Sequence, residues 1–390
     1  MSSHPIPDLT NQYAGRCRLI ERIGRGASGS VYRAQDIYTK ATFAVKCLYR
    51  SHPAHPPKQG RDLAERLAHE AHLQRLVHDH PHILTLHQSG VFDDIHYLLY
   101  PFCEGGSLSD VVATPYFWRR DDRVRGAMAQ IVDAVAHCHA RGVSHRDLKP
   151  QNVLVSADRR HYYLADFGHA SQNVYSGTFG VGSRYYKSPE CLCVGSAGLK
   201  YNTQISDIWS LGVMLLCMLT GSLPWTIAQT SDKNYRGYLR HRAEYLAFTM
   251  PLTMEGASLI SRILEPNTAD RITLQELRKE LVGVERFMLT EEELMHASGY
   301  ARNVYMERAR EIGMLYRPPQ LHSSPFRSFS IPAIPPLTFS PRNGTVSCSS
   351  LLITPSTHSG EPIHPAPTDL RIRPAKMGSR ISRAMRRFGI

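Results

Sequence analysis

Five of the eight residues from His145 to Asn152 have side chains that suit catalysis at fixed spacing. Asp147 carries a carboxylate that can accept a proton from an attacking hydroxyl, and Lys149 adds a cation two positions later. Asn152 offers an amide oxygen, the kind of ligand that hard cations such as Mg²⁺ prefer. His145 and Arg146 flank the base and are placed to fix its loop. By themselves these residues also fit a charged surface turn before a strand.

A glycine-rich stretch with the pattern G-x-G-x-x-G begins at Gly24 and includes Gly26 and Gly29. Alone it is weak evidence, because nucleotide-binding βα folds share this pattern. The β-type run from Val31 to Ala34 follows it, so we predict a hairpin that covers phosphates rather than the opening of a helix. Glycine is expected there because a side chain would keep the backbone away from the phosphates.

The loop of residues 145–152 and the glycine-rich stretch, together with three further segments, resemble the motifs of the eukaryotic protein kinase family, serine/threonine type. Residues 145–152 match its H-R-D-L-x-x-x-N catalytic loop, and residues 43–46 resemble its V-A-I-K strand. Residues 166–168 match the D-F-G element, nineteen positions after Asp147. Residues 188–190 read S-P-E where the family usually has A-P-E. Several matches in the family's order make a chance agreement negligible.

The resemblance implies an α+β class, the two-lobed protein kinase fold with a small β-rich N-lobe and a larger helical C-lobe. We assign the kinase domain to residues 13–282, after a flexible N-terminus of residues 1–12. A helical extension is expected over residues 283–316, with one helix from Thr290 to Leu315. Residues 317–390 are rich in Pro, Ser and Arg and are predicted to form a disordered basic tail.

The resemblance also implies the roles of individual residues. Asp147, Lys149, Asn152 and Asp166 are the implied catalytic residues, and Asn152 and Asp166 are the implied ligands of Mg²⁺. The cofactors are therefore expected to be ATP and Mg²⁺. The residues implied for binding ATP are Ile23, Gly24, Gly26, Gly29, Val31, Ala44, Lys46, Glu70, Pro101, Cys103 and Leu154.

The family pairs its phosphate-binding lysine with a glutamate on a helix, which we predict here over residues 61–76. We choose Glu70 over Glu65 as the partner of Lys46, because its distance from the end of the helix fits the family. One turn later the family usually has an apolar residue, but this chain has Gln74. The helix is therefore expected to be held differently or to depend on a partner.

The predicted strand of residues 95–100 leads into the segment that resembles the link between the two kinase lobes, where adenine binds. Its last residue, Tyr100, corresponds to the family's residue that closes the pocket behind adenine. Its bulk should narrow that pocket. Backbone groups near Pro101 and Cys103 are expected to hold adenine. Pro101 has no N–H, so it can supply only a carbonyl.

Lys149 and Ser183 match the serine/threonine kinases, in which the hydroxyl corresponding to Ser183 bridges the base and the lysine. Glu190 is expected to form a buried pair with Arg271. The expected reaction is phosphorylation of protein serine and threonine, with a role in intracellular signalling.

Arg146 beside the base suggests regulation, because an arginine there commonly needs a phosphate from the activation segment. Ser176 and Thr178 are the leading candidates for that phosphate, and Ser183 is a third regulatory candidate. The consensus around the target residue stays open.

The chain has 390 residues and a formal net charge of +12. Its eight cysteines are scattered, which favours reduced thiols in an intracellular protein over a disulfide framework. We expect cytoplasmic or nuclear localisation, or both, and no transmembrane segment, since the apolar run from Leu211 to Leu219 reads as a core helix. Five histidines between His69 and His82 leave a metal site open, although a polar helix followed by a loop fits better.

Protein substrates are the expected partners. No specific nucleic acid is expected, because nucleic-acid binding would explain the positive charge and nothing else. A regulatory partner is conceivable for the predicted helix of residues 61–76. The basic segment of residues 379–388 could bind a membrane surface, an acidic partner or the kinase's own cleft, or be a solvated tail. The rival functions are a catalytically weak pseudokinase scaffold, which rests on Gln74, and a small-molecule phosphotransferase, which lacks the S-P-E segment.

Overall fold

The computed structural model describes residues 8–25, 29–48, 63–93, 95–193 and 198–314. The strands among them are β1 (Tyr13–Ala14), β2 (Cys17–Arg25), β3 (Gly29–Asp36), β4 (Thr42–Leu48), β5 (Gln88–Phe92), β6 (Ile95–Pro101), β7 (Val153–Val155), β8 (Tyr162–Leu164), β9 (Tyr175–Ser176) and β10 (Tyr201–Asn202). The helices are α1 (Leu63–Val77), α2 (Leu108–Val112), α3 (Asp121–Ala140), α4 (Thr203–Thr220), α5 (Lys233–Thr249), α6 (Met254–Ile263), α7 (Leu274–Gly283), α8 (Glu291–His296) and α9 (Gly299–Glu311).

The N-terminal part is a six-stranded antiparallel sheet in the order β1-β2-β3-β4-β6-β5. β3 shows why it forms, since every second residue is buried, including Tyr32 and Ala34. β2 and β3 pair from Cys17 opposite Asp36 to Arg25 opposite Ser30. Gly24 and Gly29 therefore lie on paired antiparallel strands, as the predicted hairpin requires, and Gly29 begins a strand and not a helix.

The chain is ordered earlier than predicted. Leu9 is 1% exposed, and its backbone N–H donates to the Tyr32 hydroxyl at 2.9 Å. Asn11 N–H also donates to the Leu19 carbonyl at 2.8 Å. The prediction of a flexible segment over all of residues 1–12 is therefore wrong for its described part, because a buried leucine fixes it to the sheet.

The C-terminal part is helical and contains the largest hydrophobic core. The inward face of α3 is buried as the helical spacing predicts, with Val124, Met128, Ile131, Val132, Val135 and Cys138 in that core. The predicted core helix is α4, capped by the Asn202 side chain and ended by Gly221 at φ 71°. Among the described residues α4 alone has the length and composition to cross a membrane, and 78% of it is buried inside the protein, as a core helix would be.

Two helices, not one, follow α7. The prediction of a single helix from Thr290 to Leu315 is wrong, because Ala297 and Ser298 are extended. Ser298 then caps α9 by accepting a hydrogen bond from Ala301 N–H. On α9, Arg308 is 7% exposed and its guanidinium donates to the carbonyl of Val112, where α2 ends. The extension is thus packed against the helical part.

A β-rich N-terminal part and a helical C-terminal part confirm the predicted α+β class. All seven cysteines within the described residues are free thiols. No group of three or more His, Cys, Asp and Glu side chains is arranged to hold a metal within the described ranges, and this includes the histidines between His69 and His82. The stretch 49–60, Gly26 and the basic segment 379–388 lie outside the described residues.

Candidate active site

The loop of residues 145–152 is hydrogen-bonded to α4. Asp207 on that helix is 1% exposed, and its two carboxylate oxygens accept the backbone N–H groups of His145 and Arg146, both at 2.8 Å. The same carboxylate contacts His139 Nε2 at 2.9 Å. Arg146 has φ 66°, in the left-handed region that costs a non-glycine residue energy. The buried carboxylate therefore fixes a strained backbone directly before Asp147.

Asp147 lies at the centre of a network of three donors. Lys149 Nζ donates to its Oδ2 at 2.6 Å, and Asn152 Nδ2 donates to the same oxygen at 3.1 Å. Ser183 N–H donates to Oδ1 at 2.7 Å, and Lys149 Nζ also donates to Ser183 Oγ at 2.8 Å. Ser183 thus bridges the base and the lysine. It does so with its backbone N–H and its hydroxyl, whereas the prediction gave both contacts to the hydroxyl.

These donors set the charge of Asp147. Burial raises its pKa, but the hydrogen bonds from Lys149 and Ser183 outweigh burial and hold the pKa below the ordinary 3.8. Asp147 is therefore a carboxylate at neutral pH. A base of this kind is weak, so it orients a hydroxyl better than it removes the proton early.

A second cluster joins three distant parts of the chain. Lys46 Nζ lies 2.8 Å from Glu70 Oε1 and 2.8 Å from Asp166 Oδ1. Lys46 lies on β4, Glu70 on α1, and Asp166 follows β8. Glu65, the rejected alternative, is exposed. The structure therefore brings Lys46 together with Glu70 and Asp166.

Lys46 and Asp166 each favour the charged form of the other, whereas burial raises the pKa of Glu70. Burial opposes the charge on Lys46, but Glu70 and Asp166 outweigh it and raise the Lys46 pKa above its ordinary value. Burial also raises the pKa of Asp166, but Lys46 outweighs it and lowers that pKa to about 2. Asp166 has φ 63°, a second left-handed residue in the site. Both the cation and the carboxylate are thus charged at neutral pH.

Apolar side chains line the region beside this cluster. Ala44, Cys103 and Leu154 are partly buried against the same cluster of core residues, next to Tyr100. Tyr100 and Pro101 lie on β6, opposite Ala44 and Phe43 of β4. The sequence-predicted adenine residues therefore lie close together, between the two parts of the molecule.

The hairpin supplies four more predicted residues, Ile23, Gly24, Gly29 and Val31. Ile23 is 47% exposed, and Gly24 pairs with Val31 across the β2–β3 ladder. A Cβ on Gly29 would collide with the carbonyl oxygen of Cys47 on β4. At Gly29 the structure thus gives a reason for glycine that differs from the predicted one, because the neighbouring strand leaves no room for a side chain.

The polar residue at the end of α1 has polar partners. Gln74 is fully buried, and its Nε2 donates to the Leu84 carbonyl at 2.8 Å. Its Oε1 accepts the hydroxyl of Tyr100 at 3.0 Å. Gln74, which replaces the family's usual apolar residue, is therefore buried with both ends of its amide hydrogen-bonded.

The activation segment, residues 166–190, is anchored at its end. Arg271 and Glu190 form a pair with both side chains fully buried, at 2.6 Å and 3.0 Å. Nearer its middle, Ser176 is buried and its Oγ accepts Thr178 N–H at 3.0 Å, whereas Thr178 is exposed. The regulatory roles of these two residues stay predictions.

The oxygen donors fit a Mg²⁺ ion. Asn152 Nδ2 donates to Asp147, which leaves the Asn152 carboxamide oxygen available as a ligand, and Asp166 is ionised. Mg²⁺ prefers one or two carboxylates together with phosphate oxygens and water. The donor set of Asp166 and Asn152 matches that preference.

Comparison with known proteins agrees with this geometry. The family model described as protein kinase domain matches residues 17–281 of the 390. The chain therefore belongs to the protein kinase family, and its β-rich and helical parts are those of that domain. Kinases of this family generally use ATP and Mg²⁺.

Individual relatives are similar over the same region. Negative regulator of sexual conjugation and meiosis from Schizosaccharomyces pombe is 34% identical over 282 residues, 67% of this chain and 58% of that protein. CBL-interacting protein kinase 20 from Oryza sativa subsp. japonica is 30% identical over 285 residues, 70% of this chain and 58% of that protein. Calcium/calmodulin-dependent protein kinase type II subunit delta from Oryctolagus cuniculus is 33% identical over 281 residues, 70% of this chain and 49% of that protein. The chain thus spans about half to three-fifths of the length of these relatives.

Sequence reasoning missed several contacts of the site. It named Gln74 and Tyr100 but not the bond between them, and it did not name Tyr201, which contacts Arg146. Nor did it foresee the left-handed backbone of Arg146 and Asp166. No local pattern marks these features, because each depends on residues far apart in the chain.

Proposed function

We propose that this chain is an ATP-dependent kinase that transfers the γ-phosphoryl group of Mg–ATP to serine and threonine hydroxyls of proteins. The observation that carries the proposal is the position of Lys149, whose ammonium bonds both the Asp147 carboxylate and the Ser183 hydroxyl. A cation beside the base and tied to an activation-segment hydroxyl is the arrangement that the resemblance associates with serine/threonine kinases.

The nucleotide side is built around Lys46. Glu70 and Asp166 aim its ammonium and keep it charged, so that it can bind the α- and β-phosphates of ATP. The glycine hairpin covers the phosphates, and the apolar surface of Ala44 and Leu154 takes the adenine ring. Asp166 and Asn152 would hold Mg²⁺, which would neutralise the charge that develops on the phosphoryl oxygens.

The acceptor side is built around Asp147. Its ionised carboxylate accepts a hydrogen bond from the substrate hydroxyl and orients it toward the phosphoryl group. Because its pKa is low, Asp147 takes the proton late in the transfer. Lys149 stabilises the charge on the transferred group. Positioning and electrostatics therefore supply most of the acceleration.

A role in intracellular signalling is part of the proposal. One relative is named a negative regulator of sexual conjugation and meiosis, and another a calcium/calmodulin-dependent protein kinase. The first name supports a regulatory role, and the second supports a kinase that acts on proteins. The Gln74 bonds and the Lys46–Glu70 pair favour an active enzyme over a scaffold, because α1 already presents its glutamate.

The proposal is tested with purified protein, Mg–ATP and a general protein substrate, followed by mass spectrometry of the phosphorylated residues. We expect phosphate on serine and threonine. The Asp147→Asn control, which keeps the size of the side chain, should lower the rate about 10²- to 10⁴-fold. ATP binding without any transfer by the wild type would support the scaffold instead. Transfer to tyrosine would overturn the proposed specificity.

A further inference from the structure

Gln74 lies on the same face of α1 as Glu70, about one turn further along the helix. Both side chains are buried, Glu70 at 4% exposure and Gln74 completely. The Glu70 carboxylate contacts Lys46 Nζ at 2.8 Å. Whatever fixes the helix at Gln74 therefore also fixes where the Glu70 carboxylate lies.

The first hydrogen bond of the Gln74 amide connects α1 to the strand pair that carries Lys46. Its Oε1 accepts the Tyr100 hydroxyl at 3.0 Å. Tyr100 lies on β6 opposite Ala44 of β4, and Lys46 follows Ala44 two positions later, opposite Leu98. The Tyr100 hydroxyl thus sets the position of α1 relative to β4 and β6.

The second hydrogen bond of the amide connects α1 to the strand that leads to Asp166. Gln74 Nε2 donates to the Leu84 carbonyl at 2.8 Å. The N–H of Leu84 donates to the Leu164 carbonyl at 2.9 Å, and the N–H of Leu164 donates to the His82 carbonyl at 2.9 Å. Leu164 is the last residue of β8, and Asp166 follows two positions later. The Leu84 carbonyl is therefore held by the backbone next to Asp166.

One amide thus joins the three elements that carry the charged cluster, namely α1, the strand pair β4–β6 and β8. Hydrogen bonds weaken steeply when their angle departs from linear, whereas apolar contacts have no preferred direction. An apolar side chain at position 74 would therefore let α1 rotate over its neighbours more easily than the amide does. The two bonds fix both the rotation and the height of the helix.

The position of α1 matters because the charge of Glu70 depends on it. Burial raises the pKa of Glu70, and the nearby Lys46 opposes that effect. Lys46 Nζ also lies 2.8 Å from Asp166 Oδ1, so Glu70 is one of two carboxylates that aim this ammonium. A displaced helix would leave a buried carboxylate without its cation, which is strongly unfavourable.

We propose that Gln74 is a positioning residue, whose amide, bonded to Tyr100 and Leu84, holds Glu70 against Lys46 and so prepares Lys46 to bind the α- and β-phosphates of ATP. This inference rests on the nucleotide binding of the proposed kinase function. Of the two expectations for α1, it favours a helix that is held differently, by hydrogen bonds from within the chain.

The test measures the Kd of Mg–ADP for the full chain by isothermal titration calorimetry, because ADP carries the α- and β-phosphates but no γ-phosphoryl group to transfer. Tyr100→Phe removes the hydroxyl and keeps the ring. We expect its Kd to rise about two- to tenfold, the change that corresponds to one lost hydrogen bond between neutral groups. An unchanged Kd would overturn the inference.

Tyr97→Phe is the matched control. Tyr97 lies on the same strand β6, is 3% exposed, and its hydroxyl accepts a hydrogen bond from Gln88 Nε2 at 2.8 Å. Its ring packs in a different hydrophobic cluster from that of Tyr100. This variant loses the same kind of bond away from α1 and should leave the Kd unchanged. Equal rises for the two variants would point to a general effect on the sheet and overturn the inference.

A second comparison asks whether Gln74 acts through Glu70. Gln74→Leu removes both bonds and should raise the Kd more than Tyr100→Phe does. In a Glu70→Gln background, by contrast, Gln74→Leu should add less than about twofold, because the residue through which it acts is already changed. The same rise in both backgrounds would show that Gln74 merely supports the pocket, and would overturn the inference.

Thermal melts establish that each variant is folded at the temperature of the titration. If Gln74→Leu does not fold, the comparison in the Glu70→Gln background is made with Tyr100→Phe, for which we expect the same loss of effect. The melts also correct for any unfolded fraction, which would lower the number of binding sites and not the affinity of the folded protein.

Binding and transfer separate the two proposals. Phosphoryl transfer by the wild type, with a Kd that does not respond to Tyr100→Phe, would overturn the inference and leave the kinase function standing. No transfer, with a Kd that responds as expected, would overturn the kinase function and leave the role of Gln74 in nucleotide binding. No binding of Mg–ADP by the wild type would overturn both.

Discussion

The hydroxyl of Tyr100 donates to Gln74 Oε1 across 26 positions of sequence, at 3.0 Å and inside the core. Burial raises the pKa of Tyr100 well above its ordinary value, so the phenol remains a donor. The Nε2 of Gln74 in turn donates a hydrogen bond to the Leu84 carbonyl. α1, which carries Glu70, is therefore tied to the rear of the predicted nucleotide pocket by directional bonds in addition to apolar packing.

This bond gives a stability prediction. Tyr100→Phe leaves the Gln74 oxygen buried without its donor, and we expect it to lower the free energy of unfolding by about 1–3 kcal/mol. In a urea-denaturation cycle with Gln74→Leu, the two changes should be non-additive by about 0.5–3 kcal/mol, because the residues touch. Strictly additive losses would show that the bond contributes no coupling.

The buried pair of Glu190 and Arg271 should matter more than an exposed one. Arg271→Met leaves a fully buried carboxylate uncompensated, and we expect a loss of about 3–5 kcal/mol in the free energy of unfolding. The pair of Arg286 and Glu293 is about half exposed, with side chains 43% and 42% accessible. Arg286→Met is therefore the control and should cost less than about 1 kcal/mol in the same urea titration. Similar losses for both variants would contradict this ranking.

The low pKa of Asp147 gives a pH prediction. A carboxyl whose folded pKa lies below the ordinary 3.8 contributes stability above that value, and the contribution is lost as the pH falls through the folded pKa. The carboxylate therefore stays ionised throughout the neutral range, and kcat should show no acid limb from Asp147 between about pH 5 and 8.

Lys149→Met should change that profile. Burial would still raise the pKa of Asp147, while its strongest opposing hydrogen bond would be gone. We expect a lower kcat and an acid limb displaced to higher pH, measured from pH–rate profiles of the two proteins. An acid limb that stays in place in the variant would mean that Lys149 does not set the charge of the base.

The helices after α7 should belong to the stable catalytic unit. Arg308 of α9 is buried and donates to the Val112 carbonyl, and its neighbour Arg310 is exposed. Arg308→Met should lower the free energy of unfolding by about 1.5–3 kcal/mol, the range for hydrogen bonds to charged groups. Arg310→Met should change it by less than about 0.5 kcal/mol. Equal effects in thermal or urea melts would place α9 outside the cooperative unit.

The sequence predicted most of what depends on local pattern and motif order. The glycine hairpin, the buried face of α3 and the core helix α4 follow from period and composition. The meeting of Lys46 with Glu70 and Asp166 followed from the order of the motifs. The Lys46–Asp166 contact joins residues 120 positions apart, so no local rule could have given its geometry.

Other features could not be predicted for the same physical reason. Gly29 is crowded by a neighbouring strand, and Arg146 finds its partner at Tyr201, 55 positions later. The break between α8 and α9 was missed because the acidic first turn of α8 looked like the start of one long helix. Leu9 was missed because a short polar terminus offers no period to read.

The hydrogen bonds from the catalytic loop to Asp207 affect hydrogen exchange and unfolding of the protein. The amide protons of His145 and Arg146 bind a carboxylate that is 1% exposed on α4, a helix most of whose residues are buried. Solvent deuterium can replace them only when these bonds to the buried carboxylate open, so we expect both amides to be strongly protected. A loss of this protection before the rest of α4 exchanges would show that the geometry of the base is lost ahead of the fold.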